Sequence, residues 1–256
     1  MGELEMPGAD EALRAQAAEL RANVAAAAQQ SGRQAADVQI VAVTKTVPVG
    51  RIIAATQLGF TTCGENRVQE ARDKQRQIAA LTEAVALPPL PPLPPLPPIT
   101  WELIGHLQTN KVPLALDLFA RVQSVDSLRL AQALDARAAL LSRTLPVLLE
   151  VNIGQEASKS GFAPDDVVAA AQAIVRLPHL RANGLMTVAP ITEEPEQARQ
   201  FFRALRALRD RLRDSTGHPW PELSMGMSDD YTVAIQEGAT IIRIGRGLFG
   251  ARPPKV

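Results

Sequence analysis

Eight short apolar segments, each followed by a stretch of helical character, limit what this chain can fold into more than any other feature. The first is the clearest. Val38, Ile40, Val41 and Val43 are β-branched, the run closes on Lys45, and Thr46-Val47-Pro48 breaks it. That composition suits a short buried strand better than a helix. The remaining apolar segments fall at residues 60–63, 99–104, 120–124, 146–153, 180–185, 222–224 and 240–244. Between them the spacing changes to a helical period. Ile52, Ile53 and Leu58 precede Gly59 as a helix stop, and Asp126 or Ser127 can cap a helix running to about 141. A long helix from Pro195 to about 213 carries Phe201, Leu205, Leu208 and Leu212 as one apolar stripe. Arg199, Arg203, Arg206, Arg209 and Arg213 lie opposite, as expected for a solvated face. An Ala-rich helix at 9–30 comes before the first strand. Eight strands alternating with helices, without consecutive hairpins, predict an α/β fold. At 256 residues that is a single (β/α)8 TIM-like barrel over 1–256, with an added N-terminal helix.

One segment breaks the alternation. Residues 87–99 repeat Leu-Pro-Pro with a period of three, ending in Ile99. Proline cannot continue a helix or join a sheet ladder, so this tract predicts an extended polyproline II insertion. It lies between a helix and the next strand, at the end of the barrel opposite the strands' C-terminal ends, and is expected to leave a site there untouched.

Charge narrows the partners. Lys+Arg and Asp+Glu both number 27, which gives no electrostatic reason to expect nucleic acid or an anionic membrane surface as a partner. The single cysteine, Cys63, can form neither an internal disulfide nor a thiolate metal site. No apolar stretch approaches the ~20 residues that span a bilayer, and no signal-like segment opens the chain. A cytoplasmic protein without a metal is the expectation.

Barrels place their chemistry at the C-terminal ends of the strands. Here those ends carry Lys45, Gly64-Glu65-Asn66, Gly105-His106, Ser124, Asn152 and Met186, then Gly226-Met227-Ser228 and Gly245-Arg246-Gly247. The last two are glycine-containing turns leading into helices, where backbone N–H groups can converge on a phosphate. A lysine amine on the first strand facing a phosphate cup at the seventh and eighth is what pyridoxal phosphate requires. Arg243 lies two residues before Gly245, on the same side of a regular strand. At the pyridine nitrogen its guanidinium would keep that nitrogen unprotonated; the alternative is an inward arginine paired with a carboxylate.

Seven stretches occur in order: Val43-Thr44-Lys45, Gly64-Glu65-Asn66-Arg67-Val68-Gln69-Glu70, a run from Trp101 to Lys111, Ser158-Lys159-Ser160-Gly161, Gly184-Leu185-Met186, a run from Leu223 to Asp230, and Arg243-Ile244-Gly245. Together they closely resemble the pyridoxal phosphate homeostasis proteins, over about residues 12–252. The resemblance implies an alanine-racemase-like barrel that carries pyridoxal phosphate as an imine on Lys45, without an established enzymatic activity. It also implies that Ser228, Gly245 and residue 246 hold the phosphate, that Arg243 faces the pyridine nitrogen, and that Asn66 lies near the cofactor. Two departures stand out. Arg246 occupies a position that is often a small hydroxyl residue, and the proline tract is usually absent.

The competing reading is a racemase or decarboxylase of the same fold type. Those enzymes add a C-terminal β-domain, and only residues 251–256 follow the last motif, so no such domain is expected. The only tyrosine, Tyr231, falls after the seventh strand and offers no opposite-face base. His106 reads better as a hydrogen-bonded loop residue than as a base. A cofactor-free aldolase would need carboxylates beside the lysine, and only Glu65 is a candidate. The expectation is therefore a monomeric carrier that buffers intracellular pyridoxal phosphate, with dependent apoenzymes as candidate partners.

Overall fold

The computed structural model describes residues 7–85 and 96–251. Its strands are β1 (Gln39–Val43), β2 (Thr62–Glu65), β3 (Thr100–Leu103), β4 (Arg121–Val125), β5 (Leu145–Glu150), β6 (Leu180–Met186), β7 (Glu222–Ser224) and β8 (Ile241–Ile244). Helix α1 (Pro7–Gln30) precedes them, and α2 (Val49–Gln57), α3 (Val68–Val85), α4 (Val112–Leu118) and α5 (Leu128–Leu140) follow the first four strands in turn. The series continues with α6 (Val167–Ile174), α7 (Arg199–Thr216), α8 (Tyr231–Gln236) and α9 (Arg246–Phe249). All eight strands are parallel and pair in sequence order, and β8 returns to β1 to close the barrel.

Two apolar layers result, because alternate strand residues point in and out. The outer layer joins the strands to the helix ring. Trp220, Phe119, Phe202 and Leu103 are fully buried there, each contributing roughly 1.5–3 kcal/mol by leaving water. The inner layer is small: Val41, Leu148, Met186 and Ile241 fill the barrel's middle. Gly184 lets β6 approach β7, since a Cβ there would lie 1.9 Å from the Glu222 carbonyl oxygen.

Several boundaries differ from those expected, each for a local reason. The first strand ends at Val43 rather than Lys45. Thr44 still donates to the Gly64 carbonyl at 3.0 Å, but Val47 then donates back to Thr44, closing a turn with Thr46 at φ 63°. Lys45 therefore sits in that turn, half-buried. The second strand covers 62–65 and not 60–63, because the Phe60 N–H is spent on the Ala55 carbonyl at the end of α2. This shift brings Glu65 into the strand. On α7 the fully buried phenylalanine is Phe202, and Phe201 is half-buried. The arginine face is only partly solvated: Arg199, Arg203 and Arg206 all converge on the buried Glu237. Ser127 caps α5 as anticipated, accepting from the Leu130 N–H.

Most of the proline tract lies outside the described residues. Its last part, Leu96 to Ile99, runs along Ile78 and Thr82 of α3 and leads into the start of β3. That is the end of the barrel opposite Lys45.

Candidate cofactor site

Lys45 and the β8–α9 turn share one cleft. Lys45, Thr46 and Arg51 line one side of it; Gly245, Arg246 and Phe249 line the other. The turn that carries Lys45 is held from outside the barrel. Lys74 of α3 is buried and donates to the Thr44 carbonyl at 2.6 Å, to Glu65 Oε1 at 2.6 Å and to Glu70 Oε1 at 2.7 Å. Glu70 in turn accepts the Thr46 N–H at 2.6 Å, and Glu65 Oε1 accepts the Thr44 hydroxyl at 2.7 Å. The backbone on both sides of Lys45 is therefore pinned by one helix. Burial pushes the Glu65 carboxyl above its usual range, against the hydrogen bonds from Lys74 and Thr44. For Glu70 burial is outweighed by hydrogen bonds from Lys74 and the Thr46 N–H, and its carboxyl lies below the usual range.

Ser228 does not line this cleft, but its Oγ accepts the Gly247 N–H at 3.0 Å, tying the β7–α8 turn to the start of α9. Gly226 has φ 93°, and a Cβ there would lie 2.6 Å from the Ala234 Cβ. Only glycine lets this turn fold against α8 and bring Ser228 to that position. The Arg246 side chain swings outward to Asp229, and both are exposed. Its guanidinium thus leaves the backbone of the turn uncovered.

Arg243 is buried inside the barrel. Nη1 donates to Ser224 Oγ at 2.7 Å and Nη2 to the Thr187 carbonyl at 2.7 Å, so the side chain reaches from β8 across β7 to the end of β6. Burial pulls its pKa down to about 10, against the opposing charges of Glu150 and Asp230. Among the described residues no carboxylate is in direct contact with the guanidinium, so the expected alternative of an inward arginine paired with a carboxylate does not hold; it is inward and bonded to neutral groups.

Asn66 stands apart. It follows β2, packs its backbone against Gly105, and lines a neighbouring cleft with His106 and Lys111. His106 Nδ1 is 2.7 Å from Asp126 Oδ2. Asn152 organises its own loop: Nδ2 donates to the Glu156 carbonyl and Oδ1 accepts the Glu156 N–H.

Sequence reasoning missed Glu150. It closes β5, and its Oε2 is buried with no hydrogen-bond partner among the described residues. Burial first, and then the charge of Asp126, push this carboxyl up to about 7, while Arg243 and His106 oppose the rise. A glutamate ending a barrel strand was the available signal. Lys74 was missed too, because an i,i+4 pair with Glu70 on a polar helix looks like any surface pair.

The donor set is an amine, a hydroxyl, a glycine-rich turn and a buried cation, and it suits a phosphorylated aldehyde with a basic ring nitrogen. A parallel eight-stranded barrel with this set at its mouth places the chain among the barrels of the alanine racemase superfold. The family described as alanine racemase, N-terminal domain, matches residues 16–253, and the chain belongs to it. Its relatives are more particular. The pyridoxal phosphate homeostasis protein of Pseudomonas aeruginosa is 40% identical over 235 residues, covering 92% of this chain and 94% of that protein. PipY of Synechococcus elongatus PCC7942, solved with pyridoxal phosphate bound, superposes with TM-score 0.73 at 35% identity, covering 84% of this chain and 93% of that one. A crystal structure from Bifidobacterium adolescentis superposes with TM-score 0.85 at 35% identity, covering 97% and 98%. Among the described residues, no helix is long and apolar enough to cross a membrane, and no group of three or more His, Cys, Asp or Glu is placed to hold a metal ion.

Proposed function

We propose that the chain binds pyridoxal 5'-phosphate through Lys45 and serves in intracellular pyridoxal phosphate and amino-acid homeostasis as a carrier, not as an enzyme. The observation that carries this reading is the single cleft shared by Lys45 and the Gly245–Arg246 turn, with the Arg243 guanidinium buried in the barrel behind them. When bound, the cofactor supplies an aldehyde for the lysine amine and a ring able to withdraw electrons. Ser228 and the backbone of Gly245 and Arg246 hold the phosphate. Arg243 meets the ring nitrogen and, as a permanent donor, does not pass it a proton. Asn66, in the neighbouring cleft with His106, would have to turn toward Lys45 to approach the ring. The names of the relatives and the bound state of PipY support the same assignment.

The alternative, racemase or decarboxylase chemistry, needs acid/base groups on both faces of a bound amino acid. Tyr231 is buried at the start of α8 against Gly226, which does not favour it as such a group. A cytoplasmic monomer that exchanges cofactor with apoenzymes completes the proposal. The test is the visible spectrum of purified protein before and after borohydride reduction, with the modified peptide mapped. A reduced adduct on Lys45 supports the assignment, and absence of any adduct after saturation with cofactor overturns it.

A further inference from the structure

The barrel interior holds a polar path that the cofactor site itself does not explain. Arg243 donates to Ser224 Oγ at 2.7 Å, Ser224 Oγ donates to Gln123 Oε1 at 2.6 Å, and Gln123 Nε2 donates to Glu102 Oε2. All four residues are at most 4% exposed. Beyond Glu102 the path reaches Gln39, whose Nε2 lies 3.4 Å from Glu102 Oε1, and Arg121, whose Nε lies 3.7 Å from the same oxygen. Arg121 also pairs with Glu222 at 3.1 Å.

The direction of this path follows from its two charged ends. A guanidinium has donors and no acceptor, so Ser224 must accept from Arg243. An ionised Glu102 has acceptors and no donor, so Gln123 presents its amide NH2 to it. That leaves the Gln123 carbonyl oxygen for Ser224, whose hydroxyl donates to it. The orientation of the Gln123 amide is the one that an ionised Glu102 requires. We propose that Glu102, Gln123 and Ser224 are positioning residues: a hydrogen-bond chain that aims Arg243 at the ring nitrogen and anchors it, through two neutral groups, on a buried carboxylate that already faces Arg121.

The indirect route has a physical use. A carboxylate in direct contact would take several N–H donors of the guanidinium in a fork and cancel its field locally. Among the described residues two of its five donors are used, one on Ser224 and one on the Thr187 carbonyl. The guanidinium is held in place while the remaining donors stay available to a ligand. Burial holds the Glu102 carboxyl above its usual range, against the Arg121 charge and the Gln123 hydrogen bond.

The link to the cofactor rests on the function proposed above; the link to Arg243 does not. The experiment compares wild type with Gln123→Leu, Ser224→Ala and Glu102→Gln by cofactor titration, by the pH midpoint of the bound cofactor's visible band, and by thermal melting. The first two variants break the chain and are expected to weaken cofactor binding about tenfold. Glu102→Gln keeps an oxygen for Gln123 but loses a charge, while Glu150 and Asp230, the carboxylates whose charges act on Arg243, stay in place; it is expected to move the band's midpoint slightly downward with a smaller change in affinity, because a cationic adduct loses a distant anion. Ser224→Thr keeps the hydroxyl and is expected to restore affinity relative to Ser224→Ala. Wild-type affinity and midpoint in every variant, with only a lower melting temperature, would overturn the proposal. Should the wild type bind no cofactor, the functional reading fails and a crystal structure of Gln123→Leu decides this one alone: displacement of the guanidinium from the Thr187 carbonyl supports it, and unchanged placement overturns it. Glu102→Gln, close in shape to the native side chain, takes over this comparison if Gln123→Leu does not fold.

Discussion

Lys74 Nζ donates to the carbonyl oxygen of Thr44 at 2.6 Å, so a helix outside the barrel holds the residue that precedes Lys45. The same amine pairs with both Glu65 and Glu70, and Glu70 holds the N–H of Thr46, a β-branched residue with φ 63°. Threonine in that region is strained by roughly 1–2 kcal/mol, and the two contacts keep it there. Lys74→Met is expected to destabilise the fold by about 3–5 kcal/mol, because Glu65 is left as a buried carboxylate without its cation. Adding Glu65→Gln is expected to recover much of that loss. Urea denaturation of the single and double variants measures both; equal stability of the two would show that the charge on Glu65 does not matter.

Lys45→Ala is expected to abolish the borohydride-stable adduct while leaving the fold intact, since Lys45 is half-buried at the rim and not part of either apolar layer. Mass mapping of the reduced protein is the measurement. An adduct of undiminished yield in the variant would move the assignment to another amine.

Arg243→Gln keeps one amide to reach Ser224 or Thr187 but removes the buried charge. Cofactor affinity is expected to fall by about 1.5–3 kcal/mol, the worth of a charged hydrogen bond. Racemase and decarboxylase assays over a panel of amino acids accompany the titration. Robust turnover by wild type would sink the carrier reading, and unchanged affinity in the variant would mean that Arg243 does not touch the cofactor.

Glu150 makes stability depend on pH in an unusual direction. Its carboxyl titrates at about 7 in the folded protein against an ordinary value of 4.5. Between those values the folded state holds a proton that the unfolded chain has released. Its contribution is therefore present in full below pH 4.5 and declines as pH rises through 7. Glu150→Gln is expected to remove that decline, on the order of 3 kcal/mol. Denaturation midpoints of the two proteins from pH 4 to 8, in roughly half-unit steps, test it; parallel curves would place the folded pKa near that of the free side chain.

Deleting residues 88–98 in favour of a short polar turn is expected to leave cofactor affinity within a few-fold of wild type. The described end of the tract meets α3 at the start of β3, away from Lys45. Loop length changes closure entropy by only about 0.6 kcal/mol per doubling. A tenfold loss in the titration would show that the insertion reaches the mouth.

The alternation of strand and helix was legible because β-branched runs such as Val38 to Val43 are separated by glycine and proline stops. The positions of Lys45, Ser228 and Gly245 at one end of the barrel were legible for the same reason: each follows the end of a strand. The true end of β1 was not, since apolar character carries past the point where a turn hydrogen bond takes over. Glu65 looked like the opening of a turn, and its burial depends on Lys74, which arrives from the next helix nine positions later. Glu102 and Gln123 are separated by twenty-one positions and meet only because β3 lies beside β4 in the closed barrel. Partnerships of that kind have no local signature. Phe201 and Phe202 both fit a helical stripe, and only the approach of neighbouring elements chose between them.

The seam of the barrel imposes an order in time. β1 meets β8, and α1 packs on α8 and α9, so the first strand to leave the ribosome waits for the last. Until β8 docks, the edges of β1 and β7 are both open and prone to mispairing. During that interval the cleft beside Lys45 has only one of its walls, because the other, at Gly245 and Arg246, follows β8. Docking of one four-residue strand closes it.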